Sequence, residues 1–115
     1  MPSIKRPITL DVITGVSHAF QQVIGSFKDA EAQRLFRGEP ARRLPPDLRR
    51  VAQRKLSLVE AAVELRDLRA PPGNRLEALV GDRWGQHSIR INDQWRICFR
   101  WEKDTAYDIE IVDYH

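Results

Sequence analysis

Only one cysteine, Cys98, occurs among the 115 residues, so no disulfide can close within the chain and a reducing, cytoplasmic setting is expected. Its neighbours Trp95, Ile97 and Phe99 are strongly apolar, which predicts a buried structural thiol rather than a nucleophile. Long hydrophobic runs are missing too. The most apolar stretch, Ile8 to Phe20, is broken by Asp11 and His18 and falls short of the about 18 apolar residues that a membrane span needs. The same break, with no small-residue cleavage site near Gln21-Gln22, argues against a signal peptide despite Lys5 and Arg6 ahead of it. The chain shows no internal repeat, no low-complexity tract, no glycine-rich phosphate loop and no His/Cys/acidic cluster at metal-ligand spacing, so neither metal nor cofactor is expected.

What is present fits one compact domain: 42% of residues are hydrophobic and 30% charged, enough for a modest core and little more. Lys and Arg outnumber Asp and Glu by 19 to 16, a weak bias towards an anionic partner such as nucleic acid. Residues 1–22 have no sustained period and read as an extension, with at most a turn of helix around Val16 to Gln22. Val23 to Lys28 reads as a short strand. Asp29 then stands where a helix N-cap belongs, Ala32, Leu35 and Phe36 share one face, and Gly38 stops the helix, which is expected over about residues 29–37. Leu44-Pro45-Pro46-Asp47 opens a longer helix, about 46–62, striped by Leu48, Val51, Ala52, Leu56, Val59 and Val63. Over both helices Arg34, Arg37, Arg42, Arg43, Arg49, Arg50, Arg54 and Lys55 form a basic surface, read either as a solvated face or as a docking face for RNA or an acidic partner.

After a turn at Glu64 to Leu68 and the break at Ala70-Pro71-Pro72-Gly73, alternation takes over and predicts an antiparallel meander. Strands are expected over about Asn74 to Leu79, His87 to Asn92 and from Trp95, with turns at Gly81-Asp82, Asn92-Asp93-Gln94 and Lys103-Asp104. In the third strand Trp95, Ile97, Phe99 and Trp101 share the inward parity, leaving Arg96 and Arg100 outward. In the last, Tyr107, Ile109 and Ile111 are expected inward and Asp108 and Glu110 outward. The outcome is a sheet with one buried face and a row of arginines on the other.

The runs Ser26-Phe27-Lys28-Asp29, Leu44-Pro45-Pro46, Pro71-Pro72-Gly73-Asn74-Arg75-Leu76-Glu77-Ala78-Leu79, Gly81-Asp82-Arg83, Ser88-Ile89-Arg90-Ile91-Asn92-Asp93-Gln94-Trp95-Arg96-Ile97 and Glu110-Ile111-Val112-Asp113-Tyr114-His115 together resemble the HigB toxins, in the RelE/ParE superfamily of bacterial type II toxin–antitoxin systems. The resemblance covers residues 23–115. It implies an α+β domain with two N-terminal helices packed on a curved antiparallel sheet. The implied activity is ribosome-dependent, metal-independent messenger RNA cleavage, and the implied partner is a helix-turn-helix antitoxin of the HigA kind in a small hetero-oligomer. Val23 becomes a candidate start, with residues 1–22 dispensable.

Cleaving RNA without a metal requires activating a ribose 2′-hydroxyl, stabilising charge at phosphorus and protonating the leaving 5′-oxygen. A planar guanidinium suits the second task because it grips two phosphate oxygens at once. The resemblance places the family's functional arginine at Arg96 and its catalytic terminus at Asp113, Tyr114 and His115. His115 is the candidate proton donor, Asp113 its orienting carboxylate, and Tyr114 a base-stacking or phosphate-bonding group. Arg75, Arg83 and Arg90 are candidate phosphate binders, each with a plain surface role as the alternative. Glu77 joins them as an RNA-contacting residue and candidate general base, against the reading of a solvent-facing carboxylate. His87 ranks below His115 because its motif match is loose. The chain departs from many relatives at Val80, where lysine is common, and at Glu77, where some carry histidine. Two other readings share the fold: a non-enzymatic, ParE-like inhibitor of DNA gyrase, and an inactive toxin kept as an antitoxin-binding partner.

Overall fold

The computed structural model describes residues 24–114; the expectations for residues 1–22, for Val23 and for His115 fall outside them. Helix α1 spans Ala30–Phe36 and helix α2 Pro46–Ala61, followed by strands β1 (Glu77–Ala78), β2 (Gln86–Arg90), β3 (Trp95–Glu102) and β4 (Thr105–Asp113). The strands form one antiparallel sheet in the order β1-β2-β3-β4, so the class is α+β. The helices lie mid-chain, within residues 30–61, and not at the N-terminus as expected.

Local chemistry explains both helices. The Asp29 carboxylate accepts from the Glu31 N–H at 2.9 Å, satisfying one of the donors that a helix start leaves open. Gly38, at φ 83°, takes the left-handed conformation that ends α1 without a Cβ clash. Pro46 opens α2, where its missing N–H is no loss. The expected stripe holds: Ala52, Leu56 and Val59 are fully buried and Leu48 and Val51 pack against the same core, but the helix ends before Val63, with Ala62 buried at its C-cap. These residues pack with Ala32, Leu35, Ile89, Ile97, Phe99, Ile109 and Ile111 into one core. Each large aliphatic side chain so buried contributes on the order of 1.5–3 kcal/mol.

Three strand expectations need correction. Residues 24–28 form no regular strand; they make a single parallel bridge, Phe27 to Ile109, with the Gly25 N–H donating to the Ala106 carbonyl at 2.8 Å. Gly25 is required there, because a Cβ would sit 2.2 Å from the Tyr107 ring. β1 shrinks to two residues because Pro72–Asn74 is taken up by a 3-10 turn and Arg75 sits at φ 46°, outside strand geometry. Tyr107 faces the side opposite the core. Cys98 pairs with Glu110 but Arg100 pairs with Tyr107, so β4 has one more residue than β3 in that interval. Asp108, at φ 54°, absorbs it as a bulge that reverses the inside–outside alternation, turning Tyr107 under the Arg100 guanidinium at 5.3 Å.

Candidate active site

Cross-strand partners share a face, and the register therefore composes the side of the sheet away from the helices row by row. One row runs Glu77, Ser88, Cys98, Glu110; the next runs Arg90, Arg96, Val112. Tyr114 follows β4 on the same side, its N–H donating to the Gln94 carbonyl at 2.5 Å.

Arg96 has the outward parity expected of it and is nevertheless only 8% exposed, because this polar face is itself covered. Its Nε donates to the Ser88 hydroxyl at 2.7 Å and one terminal nitrogen donates to the Arg75 carbonyl at 2.6 Å. The Glu77 carboxylate lies 3.6 Å from that nitrogen, and the Tyr114 ring 5.7 Å from the guanidinium carbon. Two planar anchors fix the guanidinium's orientation, and the aromatic face and carboxylate offset the expense of keeping the charge from water. Arg90, directly across from Arg96, would repel it; Asp93 neutralises Arg90 at 2.5 Å, and that contact holds the Asp93 carboxyl below its usual range.

The other candidates are placed unevenly. Arg75 contributes its carbonyl to Arg96 and has an exposed side chain. The side chain of Glu77 is 52% exposed, open to a ligand while close to Arg96. Arg83 donates to Glu110 at 2.8 Å and to Gln86 at 3.0 Å, and the Glu110 pairing pushes its pKa up. It thus spans the face from the β1–β2 loop to β4. Asp113 pairs with Trp95, on the core parity, and accepts from the Gln94 side chain at 3.1 Å, so its carboxylate leaves the sheet on the other side from Arg96. Burial holds the Cys98 thiol above its usual value, as befits a structural cysteine. Among the described residues, no group of three His, Cys, Asp or Glu side chains is placed to hold a metal ion.

His87 is separated from all of this. It pairs with Phe99, a core residue, stacks on its ring at 6.4 Å, and lines a pocket of about 470 Å³ with Leu65, Leu76 and Ala78 on the opposite face. Burial lowers its pKa and its Nδ1 has no partner among the described residues, the signature of a neutral histidine.

Two residues of this network are not among the candidate site residues read from sequence. Ser88 and Glu110 anchor Arg96 and Arg83, and their shared parity with Arg90 and Asp108 is the only sequence signal for them. Lys55, assigned to the basic helix surface from sequence, is instead buried and donates to Asn74. Arg43 is also committed, bridging Asp29 and the Ile111 carbonyl at 2.6 Å each. Arg49 is half-buried and its Nε donates to the Leu44 carbonyl at 3.2 Å, so the free basic surface is reduced to Arg34, Arg37, Arg42, Arg50 and Arg54.

Residues 25–115 match the HigB-like toxins, described as the RelE-like toxin HigB of type II toxin–antitoxin systems. The chain belongs to that family. Membership makes it a toxin with an antitoxin as its partner. Toxin HigB-1 of Vibrio cholerae serotype O1 is 41% identical over 81 residues, which cover 70% of this chain and 85% of that protein. Endoribonuclease HigB of Proteus vulgaris is 34% identical over 98 residues, covering 81% of this chain and all of the relative. An uncharacterized Haemophilus influenzae protein is 34% identical over 84 residues, covering 72% of this chain and 83% of its own length. Among the described residues of this HigB-like toxin, no helix is long and apolar enough to cross a membrane.

Proposed function

We propose that this HigB-like toxin is an endoribonuclease that cleaves messenger RNA on the ribosome, using the arginine face of the sheet. The observation that carries the reading is the guanidinium of Arg96, held by Ser88 and the Arg75 carbonyl beside an accessible carboxylate and an aromatic ring. The name of the Proteus vulgaris relative, an endoribonuclease, supports it. Glu77 takes the proton from a ribose 2′-oxygen, which attacks the adjacent phosphorus. Arg96 stabilises the charge gathering on the phosphoryl oxygens, and the P–O5′ bond breaks. His115 protonates the departing 5′-oxygen, leaving a 2′,3′-cyclic phosphate and a 5′-hydroxyl. Tyr114 stacks against a base, Asp113 tunes the chain terminus, and Arg75, Arg83 and Arg90 hold flanking phosphates.

The partner is a helix-turn-helix antitoxin of the HigA kind, in a small hetero-oligomer with the toxin. The free arginines of the helix surface favour an acidic or amphipathic partner segment. Residues 23–115 carry the activity, with residues 1–22 a dispensable extension. The test adds the protein to a cell-free translation reaction and maps new messenger RNA ends. Ends within codons, lost in Arg96→Ala, are the expected result. Intact messages under arrested translation would overturn the reading, and stalled replication in cells would point to gyrase instead.

A further inference from the structure

The turn that leads into the arginine face rests on a buried polar pair. Asn74 has no solvent exposure, and every hydrogen-bonding group of its amide is used. Its nitrogen donates to the carbonyls of Leu68 and Ala70 at 3.1 Å each, and its oxygen accepts from the Lys55 ammonium on α2. Its own N–H closes on the Pro71 carbonyl at 2.9 Å, and the next N–H, of Arg75, closes on Pro72 at 3.1 Å. These bonds hold Arg75 in the left-handed region, at φ 46° and ψ 58°, a conformation that few residues with a Cβ adopt unaided. Left-handed, Arg75 turns its carbonyl onto the terminal nitrogen of Arg96 at 2.6 Å.

We propose that Asn74, braced by Lys55, is a positioning residue for Arg96: it fixes the Arg75 carbonyl that aims the guanidinium at the substrate phosphate. Stability alone is a poor reason for such a pair. A buried ammonium is expensive, and well-packed apolar residues of similar volume commonly replace buried charges without loss of stability. What an apolar pair does not supply is the directional clamp on residues 68–75. Burial, then the neighbouring charges of Arg54 and Arg90, lower the Lys55 pKa, so the ammonium sits where only a committed acceptor repays it. Neither Asn74 nor Lys55 hydrogen-bonds to Arg96; both act through the backbone of Arg75.

The inference rests on the reading of Arg96 given above, and its test separates the two. The nitrogen-15 resonance of the Arg96 Nε–H, single-turnover cleavage at saturating ribosome, ribosome affinity and thermal melts are measured for wild type, Asn74→Ala and Lys55→Met. Lys55→Met keeps both carbonyl clamps and serves if Asn74→Ala melts below the assay temperature. The expected result is a displaced, faster-exchanging Arg96 Nε–H in both variants. The cleavage rate falls by about tenfold to a hundredfold with unchanged ribosome affinity, as for a reacting group moved by an ångström or less. In an Arg96→Ala background neither substitution lowers the rate further. An unmoved Arg96 resonance in folded variants overturns the proposal, as does a rate loss that persists without Arg96. If Arg96→Ala alone cleaves at the wild-type rate, it is the catalytic reading of Arg96 that fails, and the resonance decides the positioning claim by itself.

Discussion

Ile97 and Arg96 are neighbours on one strand and both are nearly removed from water, yet the two sheet faces bury them in different ways. On the helix side Ile89, Ile97, Ile109 and Ile111 lie against Leu35, Leu56 and Val59, and non-directional area burial does the work. On the other side Arg96 is covered by Ser88, the Arg75 backbone, Glu77 and Tyr114, each contact directional. The apolar face tolerates small shifts in geometry and fails when volume is lost. The polar face fails when one angle or one partner is lost, which is the property a phosphate-gripping group needs.

Substitutions should therefore separate the faces. The largest effect is expected in chemistry at the polar face. His115→Gln, or a chain stopped at Tyr114, should slow single-turnover cleavage of a ribosome-bound message by about a hundredfold to ten-thousandfold, the usual worth of a positioned acid. Arg96→Ala should lose about a hundredfold or more, with the combined defect less than additive. The His115 variants should melt with wild type, since Ile109 and Ile111 still anchor β4. Near-wild-type rates in them would move the proton donor elsewhere, whereas a collapsed melt would make the terminus structural. At the core face Ile97→Ala should lower stability by about 2–5 kcal/mol in urea unfolding. Its cleavage rate, measured well below the melting temperature, should stay near wild type; a rate loss matching that of Arg96→Ala would mean the faces are not separable.

Smaller effects test surfaces outside the sheet site. Arg49→Glu with Arg50→Glu should slow association with the antitoxin or the ribosome and flatten its salt dependence, leaving the fold intact. If both partners associate as before, the helix surface is solvated and nothing more. The smallest effect is at His87. Its folded pKa lies below its ordinary value near 6.5, so the unfolded chain takes up a proton there that the folded chain refuses. Its contribution is fully present above about pH 6.5 and declines as the pH falls through that value towards the folded pKa. The melting temperature should dip slightly between about pH 7 and 5 in wild type and stay flat in His87→Gln. The carboxyls of Asp67 and Asp108, held low by backbone N–H groups and by Arg100 respectively, act only below about pH 4. A wild-type melt with no slope in the upper window would mean that His87 accepts its proton in the folded state.

Periodicity by itself determined the two helices, the Asp29 cap, the Gly38 stop, the meander and the parity of Arg96, because each depends on residues within a turn or two of one another. The same local reading misplaced Tyr107, since a bulge is invisible until β4 is set against β3 and one residue proves to be in excess. It put Lys55 on the exposed basic helix surface, because its acceptor, Asn74, lies 19 residues away in the chain. It grouped Asp113 with Arg96 in one candidate site, although alternation about Val112 sends that carboxylate to the other side of the sheet. It also gave Ser88 and Glu110 no role at the site, for a hydroxyl or carboxylate becomes an anchor only when another strand brings a guanidinium to it. Element identity is a short-range property of the chain. Which charge meets which partner is decided by register, and register exists only once the strands have paired.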